Sequence, residues 1–266
     1  MVRRMRLDTE LVRRGLARSR EQAADLITAG RVAVSGQTAA KAATQVGQDA
    51  AITIAEAGTA PEYVSRGGHK LAGALAVFTG LTVAGRRCLD AGASAGGFTD
   101  VLLRAGAAQV VAVDVGYGQL AWALRTDDRV TVLDRVNVRQ LTPEQVAPAP
   151  SLVTADLSFI SLSLVLPALV ACAAPDADFV LLVKPQFEVG KGKVGAGGVV
   201  RDPAQRAAAV MSVAAAASEL GLGAAGITAS PLPGPSGNVE YFLWLRHGAP
   251  PLDSAALQQA ITEGPQ

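Results

Sequence analysis

The stretch that decides the fold is Leu89-Asp90-Ala91-Gly92-Ala93-Ser94-Ala95-Gly96-Gly97-Phe98-Thr99-Asp100. An apolar run, Cys88–Ala91, leads into it, and a helical pattern leads out. The residues between are small, so the backbone can turn tightly at a strand–helix junction and approach a ligand closely there. The next apolar run ends at Asp114, 22 residues after Gly92. A carboxylate at that place accepts hydrogen bonds from both hydroxyls of a ribose. An ordinary glycine-rich turn is the plainer reading, and the Asp114 spacing argues against it. Dinucleotide and S-adenosylmethionine sites share this arrangement. The strict G-x-G-x-x-G is absent, because position 94 is Ser and Gly96-Gly97 are adjacent, which weighs against a nicotinamide dinucleotide. Gly190–Gly198 is not a P-loop either, since no Gly-Lys-Ser/Thr follows.

Outward from this loop, apolar runs at Cys88–Ala91, Val110–Val113, Val130–Leu133, Leu152–Ala155, Phe179–Val183, Gly226–Ala229 and Glu240–Leu245 read as strands, with helical patterns between most of them. Strand–helix alternation with apolar strands predicts a parallel sheet covered on both faces. Only Ser230–Asn238, with three prolines and two glycines, separates the last two strands, so that pair is expected to be antiparallel. The fold class is therefore α/β, a Rossmann-like class I methyltransferase sheet with an antiparallel C-terminal hairpin. Ahead of it, residues 1–60 read as a small α+β domain. Leu7–Arg14 and Ser19–Ala29 form two short helices joined at Gly15, the second with Ser19 and Gln22 in a capping-box pattern, followed by strands at Val32–Val34 and Ala51–Ile54 and a turn at Ser35-Gly36. Residues 61–65 read as a linker, 66–248 as the sheet domain and 249–266 as a disordered tail.

The net charge is +1, but residues 1–41 carry nine Lys/Arg against four Asp/Glu, and the remainder carries 15 against 19. A basic head on a mildly acidic body suits a polyanionic partner, and equally a solvated basic surface. Cys88 and Cys172 sit in core-like stretches and frame no disulfide network. His69 and His247 stand alone, so no metal site is expected. The first residues, MVRRMRLDTE, lack an apolar leader core, and the run near Leu162–Ala174 contains Pro167 and is too short for a bilayer. A cytoplasmic protein with no membrane partner is expected.

In doubly wound sheets ligands sit beyond the C-terminal strand ends. There the fourth strand runs into Asp156-Leu157-Ser158 and the fifth into Lys184-Pro185-Gln186-Phe187. A structural salt bridge at the sheet edge is the plain reading of that pair. Lys70 precedes the sheet and Glu240 opens the last strand; alone, either is an ordinary surface charge.

The segments YVSRGGHKL, LDAGASAGGFTD, ADLSFISL, VKPQFEVGKG and PSGNVEYFLWL resemble the TlyA family of ribosomal RNA 2′-O-methyltransferases, historically also called haemolysins, within the wider FtsJ-like class. The first 60 residues resemble the S4-type RNA-binding domain through Arg6-Leu7-Asp8, Gly15–Arg20 and Gly30-Arg31-Val32. The resemblance implies a Lys-Asp-Lys-Glu tetrad at Lys70, Asp156, Lys184 and Glu240. It implies an S-adenosylmethionine site at Gly92, Ala93, Ser94, Gly96, Gly97, Phe98, Asp114, Asn137 and Asp156. RNA contacts are implied at Arg6, Arg18, Arg20 and Arg31. Directly after Lys184, the glycine-rich Gly190–Gly198 reads as a flap over substrate with Lys191 and Lys193 reaching phosphates, or equally as a plain surface loop. Ala95 stands where many FtsJ-like sequences have proline, a change that a turn tolerates. The implied activity is methylation of a ribose 2′-hydroxyl, of cytidine by resemblance, in ribosomal RNA or ribosomal subunits, by a monomer.

A ribose hydroxyl is a weak nucleophile, and in-line transfer from a sulfonium depends on positioning. A lysine serves as base only when neutral, and neighbouring cations favour that form. On this reading Lys184 activates the hydroxyl, Asp156 orients Lys184, and Lys70 with Glu240 clamps the ribose. A base-directed methyltransferase is the nearest alternative. Such enzymes often carry Asn/Asp-Pro-Pro-aromatic after the fourth strand, where this chain has Asp156-Leu157-Ser158-Phe159. A non-catalytic RNA-binding protein would not need the tetrad. A pore-forming haemolysin would need a spanning or strongly amphipathic segment, and a pseudouridine synthase would lack the cofactor loop.

Overall fold

A computed structural model describes residues 4–28, 30–34, 37–39, 41–47, 49–54, 63–190 and 194–264. The Ser35-Gly36 turn, Pro61, Glu62, Lys191 and Lys193 lie outside the described residues. The chain divides into two compact units, Met1–Glu62 and Tyr63–Gln266.

The first unit runs β1 (Arg4–Arg6), α1 (Leu7–Arg13), α2 (Arg20–Thr28), β2 (Val32–Val34), β3 (Gln37–Thr38), β4 (Gln45–Gly47) and β5 (Ile52–Ile54). β1 pairs antiparallel with β4, and β2 lies antiparallel between β3 and β5. Leu7, Leu11, Ala23, Ile27, Val32 and Val46 form its core. Ser19 caps α2 as expected, its Oγ accepting the Gln22 N–H at 3.1 Å. The Gln22 carboxamide reaches one residue further back than a capping box requires, accepting the Arg18 N–H at 2.7 Å.

The second unit opens with α3 (Arg66–Val77), β6 (Arg87–Ala91), α4 (Gly97–Arg104), β7 (Gln109–Asp114), α5 (Trp122–Arg125) and β8 (Val130–Asp134). It continues through α6 (Pro143–Val146), β9 (Leu152–Ala155), α7 (Leu166–Cys172), β10 (Asp178–Val183), α8 (Pro185–Glu188), α9 (Pro203–Glu219), β11 (Leu222–Ala229), β12 (Tyr241–His247) and α10 (Ser254–Glu263). The seven strands lie in the order β11-β12-β10-β9-β6-β7-β8. β10, β9, β6, β7 and β8 are parallel, and β12 is antiparallel to both β10 and β11. Period-two alternation splits each central strand between two cores. Leu89, Ala91, Val111 and Val113 face one core, and Cys88, Val110 and Ala112 face the other.

The tail is not disordered. Asp253 caps α10 by accepting the Ala255 and Ala256 N–H groups, and Leu257, Ala260 and Ile261 are buried. Their i, i+3, i+4 spacing is a helical stripe, which the proline-rich start Ala249-Pro250-Pro251 hides from a composition-based reading. Before the helix, the Ala224 N–H donates to the Pro250 carbonyl at 2.8 Å, tying the segment to β11.

Candidate active site

Sheet order carries the expected residues to one edge. β6 and β9 are neighbours, and the Asp156 N–H donates to the Ala91 carbonyl at 3.0 Å, which sets Asp156 beside the Gly92 turn. β10 follows, and its antiparallel register with β12 places Val183 opposite Tyr241, so that Lys184 and Glu240 leave adjoining strand ends. Lys70 arrives from α3.

Two ion pairs result. Lys184 Nζ lies 2.6 Å from Asp156 Oδ1 and donates to Ser158 Oγ at 3.0 Å. Lys70 Nζ donates to Glu240 Oε2 at 2.6 Å. Lys70 is 7% exposed, Lys184 8% and Glu240 1%. Charges so far out of water persist only with partners, because each would otherwise carry a desolvation cost of several kcal/mol.

The glycine turn borders a cavity lined by Ser65, Gly67, Gly92, Ala93, Ser94, Gly97, Phe98 and Asp156. Gly92 has φ +85°, and a Cβ there would come within 2.5 Å of the Asp156 carbonyl oxygen. A Cβ at Gly97 would strike Ser65 Oγ, so glycine at both positions lets α3, α4 and β9 converge on the cavity. Asp114 closes the turn from β7, its Oδ2 accepting the Ser94 N–H at 2.8 Å and its Oδ1 the Gly116 N–H at 2.7 Å. Gly96, with φ +99°, packs toward Leu120 and Leu124 and does not line the cavity. Asn137 is exposed and caps a 3-10 turn, accepting the Arg139 N–H at 3.0 Å.

Several residues of this edge escaped the sequence reading. Asp90 is fully buried beneath the turn, and Thr99 Oγ1 donates to its Oδ2 at 2.6 Å. Burial pushes its carboxyl up to about 7, opposed by the Thr99 and Thr154 hydroxyls and reinforced by the Asp156 charge. The signal was present, since Asp90 lies two residues before Gly92 in the quoted stretch. Ser65 and Gly67 come from another element, and although YVSRGGHKL contains them, nothing in that segment marks them as lining a cavity. Phe159 is 92% exposed with φ +64°, its ring 5.2 Å from that of Phe187. A non-glycine residue in the left-handed region is strained, and here the strain turns an aromatic face outward next to the Lys184 pair. Asn238 is buried. Its Oδ1 accepts the Val200 N–H at 2.9 Å and its Nδ2 donates to the Gly198 carbonyl, pinning the end of the glycine-rich loop two residues before Glu240.

In the N-terminal unit Asp8 gathers two of the expected RNA-facing arginines. Arg6 donates to it through Nε and Nη2, at 3.0 and 2.9 Å, and Arg20 through Nη2 at 2.9 Å. These bonds hold the Asp8 carboxyl well below the usual carboxylate range. Glu10 likewise takes Arg13 and Arg14, and is lowered to about 2. Arg18 is exposed and Arg31 half-buried.

Comparison with known proteins decides the family. Residues 63–247 match the FtsJ-like methyltransferase model, and residues 5–52 match the S4 domain. The chain belongs to the FtsJ-like methyltransferase family. This FtsJ-like chain is 62% identical, over the full length of both chains, to the Mycobacterium tuberculosis protein named 16S/23S rRNA (cytidine-2′-O)-methyltransferase TlyA. It is 37% identical to Hemolysin A of Brachyspira hyodysenteriae, over 89% of this chain and 98% of that one. A solved structure of a hemolysin-named protein from Streptococcus thermophilus superposes with TM-score 0.77 at 37% identity, covering 99% of this chain and 96% of the other. Among the described residues of the FtsJ-like chain, no helix is long and apolar enough to cross a membrane, and no cluster of His, Cys, Asp or Glu could hold a metal ion.

Proposed function

We propose that this protein transfers a methyl group from S-adenosylmethionine to the 2′-hydroxyl of cytidine in ribosomal RNA. The observation that carries the reading is the pair of lysine–carboxylate contacts made by two buried lysines, Lys184–Asp156 and Lys70–Glu240, at the strand ends beside the glycine turn. The residues present fit the cofactor. Gly92 and Gly97 let β9 and α3 close around the cavity, where a Cβ would strike the Asp156 carbonyl or Ser65 Oγ, the spacing of Asp114 suits a ribose, and Asp156 lines the cavity and contacts Lys184. When bound, S-adenosylmethionine supplies an electrophilic methyl group. Asp114, Ser94, Gly92, Ala93, Gly97, Phe98 and Asn137 would hold it.

The chain's own residues do the remaining work. Asp156 and Ser158 fix Lys184 Nζ, which, when neutral, takes the proton from the ribose hydroxyl. Glu240 and Lys70, one acceptor and one donor, orient the ribose. The arginines held by Asp8 bind RNA phosphates, a contact that positions RNA without reading its sequence. Asp156-Leu157-Ser158-Phe159 lacks the paired prolines of base-directed enzymes, which favours the ribose as target. A ribosomal substrate puts the protein in the cytoplasm. Mass mapping of ribose methylation in ribosomal RNA from cells with and without the protein tests the proposal. Loss of 2′-O-methylcytidine without the protein is expected. An unchanged ribose map, or loss of a base methyl instead, overturns it.

A further inference from the structure

We infer that Glu188 is a positioning residue of the methyl-transfer site, holding the Asp156–Ser163 segment against α8 so that Asp156 and Ser158 meet Lys184 together. The inference rests on the methyltransferase reading above and assigns a role to a residue outside the tetrad.

The segment needs an anchor. Asp156 makes the last ladder bond, to Ala91. Among the described residues, no backbone N–H from Leu157 to Leu162 donates to a backbone carbonyl. Within this stretch Phe159 holds its left-handed conformation, which relaxes unless the surroundings over-determine it. Leu162, by contrast, is buried in the main core, so the chain must swing out to Phe159 and back within a few residues.

The anchor is α8. It is a single turn, started by buried Pro185, whose ring fixes the first helical residue. Its two ends grip the same segment. At the start, Lys184 holds Asp156 and Ser158. At the end, Glu188 Oε2 accepts the Ser161 hydroxyl at 2.5 Å and Oε1 accepts the Leu162 N–H at 2.9 Å. Between them, Phe187 packs against Phe159. Ser161 in turn caps the 3-10 turn Leu162–Leu164. Glu188 is half-buried, and burial pushes its carboxyl upward against the pull of its two donors. A carboxylate placed there has these two groups to satisfy it. Because Lys184 and Glu188 are joined by one short rigid turn, securing Ser161 and Leu162 also sets where Asp156 and Ser158 sit relative to Lys184 Nζ.

The test compares Glu188→Ala and Glu188→Gln in the full chain. The measurements are single-turnover methylation, the KM for ribosomal RNA, calorimetric affinity for S-adenosylmethionine, and hydrogen exchange over residues 157–164. Alanine removes both acceptors. A displacement near 1 Å at a reacting centre costs up to about 100-fold, so kcat should fall about 10- to 100-fold with KM and cofactor affinity within about two-fold of the parent. Exchange over 157–164 should quicken. Glutamine keeps an oxygen for Leu162 and offers an amide donor to Ser161 Oγ, so it should restore kcat to within about three-fold and restore slow exchange. Should alanine fail to fold, Ser161→Ala removes one of the two bonds and must itself lower kcat and quicken exchange. Parental kcat in Glu188→Ala overturns the inference, as does a kcat loss in Glu188→Gln with parental exchange, which would make the charge and not the grip the active property. An inactive parent chain refutes the proposed function, and with it the site Glu188 would position. An active parent with unaffected Glu188 variants refutes the positioning role alone.

Discussion

Replacing Lys184 separates chemistry from charge. Its Nζ is 2.6 Å from Asp156 and 3.0 Å from Ser158. Truncation to alanine deletes both contacts and leaves the carboxylate facing a gap. Stripping a buried polar group of its partner costs about 1–3 kcal/mol. The Asp156 side chain is 23% exposed, so water reaches it and the lower half of that range applies. For a domain of this size that is a fall in Tm of roughly 2–8 °C, compatible with a folded protein. The rate should suffer far more. Positioned proton transfer contributes about 10²–10⁴-fold, equivalent to roughly 2.7–5.5 kcal/mol of barrier. The assay is single-turnover transfer of a labelled methyl group to ribosomal RNA at saturating enzyme, with RNA and cofactor affinities measured alongside. Both ligands should stay bound in Lys184→Ala. Lys184→Arg preserves a cation beside Asp156, so it should recover most of the Tm and none of the rate, since guanidinium does not deprotonate. Near-parental turnover in the arginine variant would refute the reasoning and reduce Lys184 to a structural charge, leaving Lys70 as the candidate base.

Three further expectations follow from other parts of the molecule. Asp114→Ala removes the acceptor for Ser94 and Gly116 as well as the proposed ribose contact, so calorimetry should show S-adenosylmethionine affinity weakened about 10- to 100-fold; unchanged affinity would exclude Asp114 from the site. Asp8→Asn raises the net charge by one, which alone would tighten RNA binding, yet it loosens the shared anchor of Arg6 and Arg20. The expected outcome is about 3- to 10-fold weaker binding with a shallower salt dependence, and tighter binding would contradict it. Asp90 holds its proton to about pH 7 when folded, against an ordinary value of 3.8. The unfolded chain therefore releases a proton that the folded one keeps, and stability falls as pH rises from about 4 to about 7, by at most about 4 kcal/mol, then levels off. Urea midpoints of Asp90→Asn should lose that slope; parallel curves for variant and parent would rule the effect out.

Much of the fold and site was legible because the signals are local. Apolar runs marked every strand of the large sheet to within a few residues. The prolines and glycines of Ser230–Asn238 marked the antiparallel return, and the glycine turn marked the side of the sheet where the cavity lies. The tail was misread for a local reason too. Prolines at 250 and 251 dominate its composition, while the stripe of Leu257, Ala260 and Ile261 has meaning only against a surface to bury it.

The sequence by itself determined the order of elements, the turn, and the identities of two lysines and two acids, since backbone geometry and side-chain chemistry belong to single residues and their near neighbours. Only the tertiary structure decided who meets whom. Lys70 and Glu240 stand 170 positions apart and become an ion pair because β12 inserts antiparallel beside β10 while α3 packs at the same edge. Ser65 reaches the glycine cavity, Asn238 pins a distant loop, and Glu188 grips the segment that carries Asp156, in each case through strand order and register. Those are settled by burying two apolar faces of one sheet at once, a condition that no short window of sequence contains.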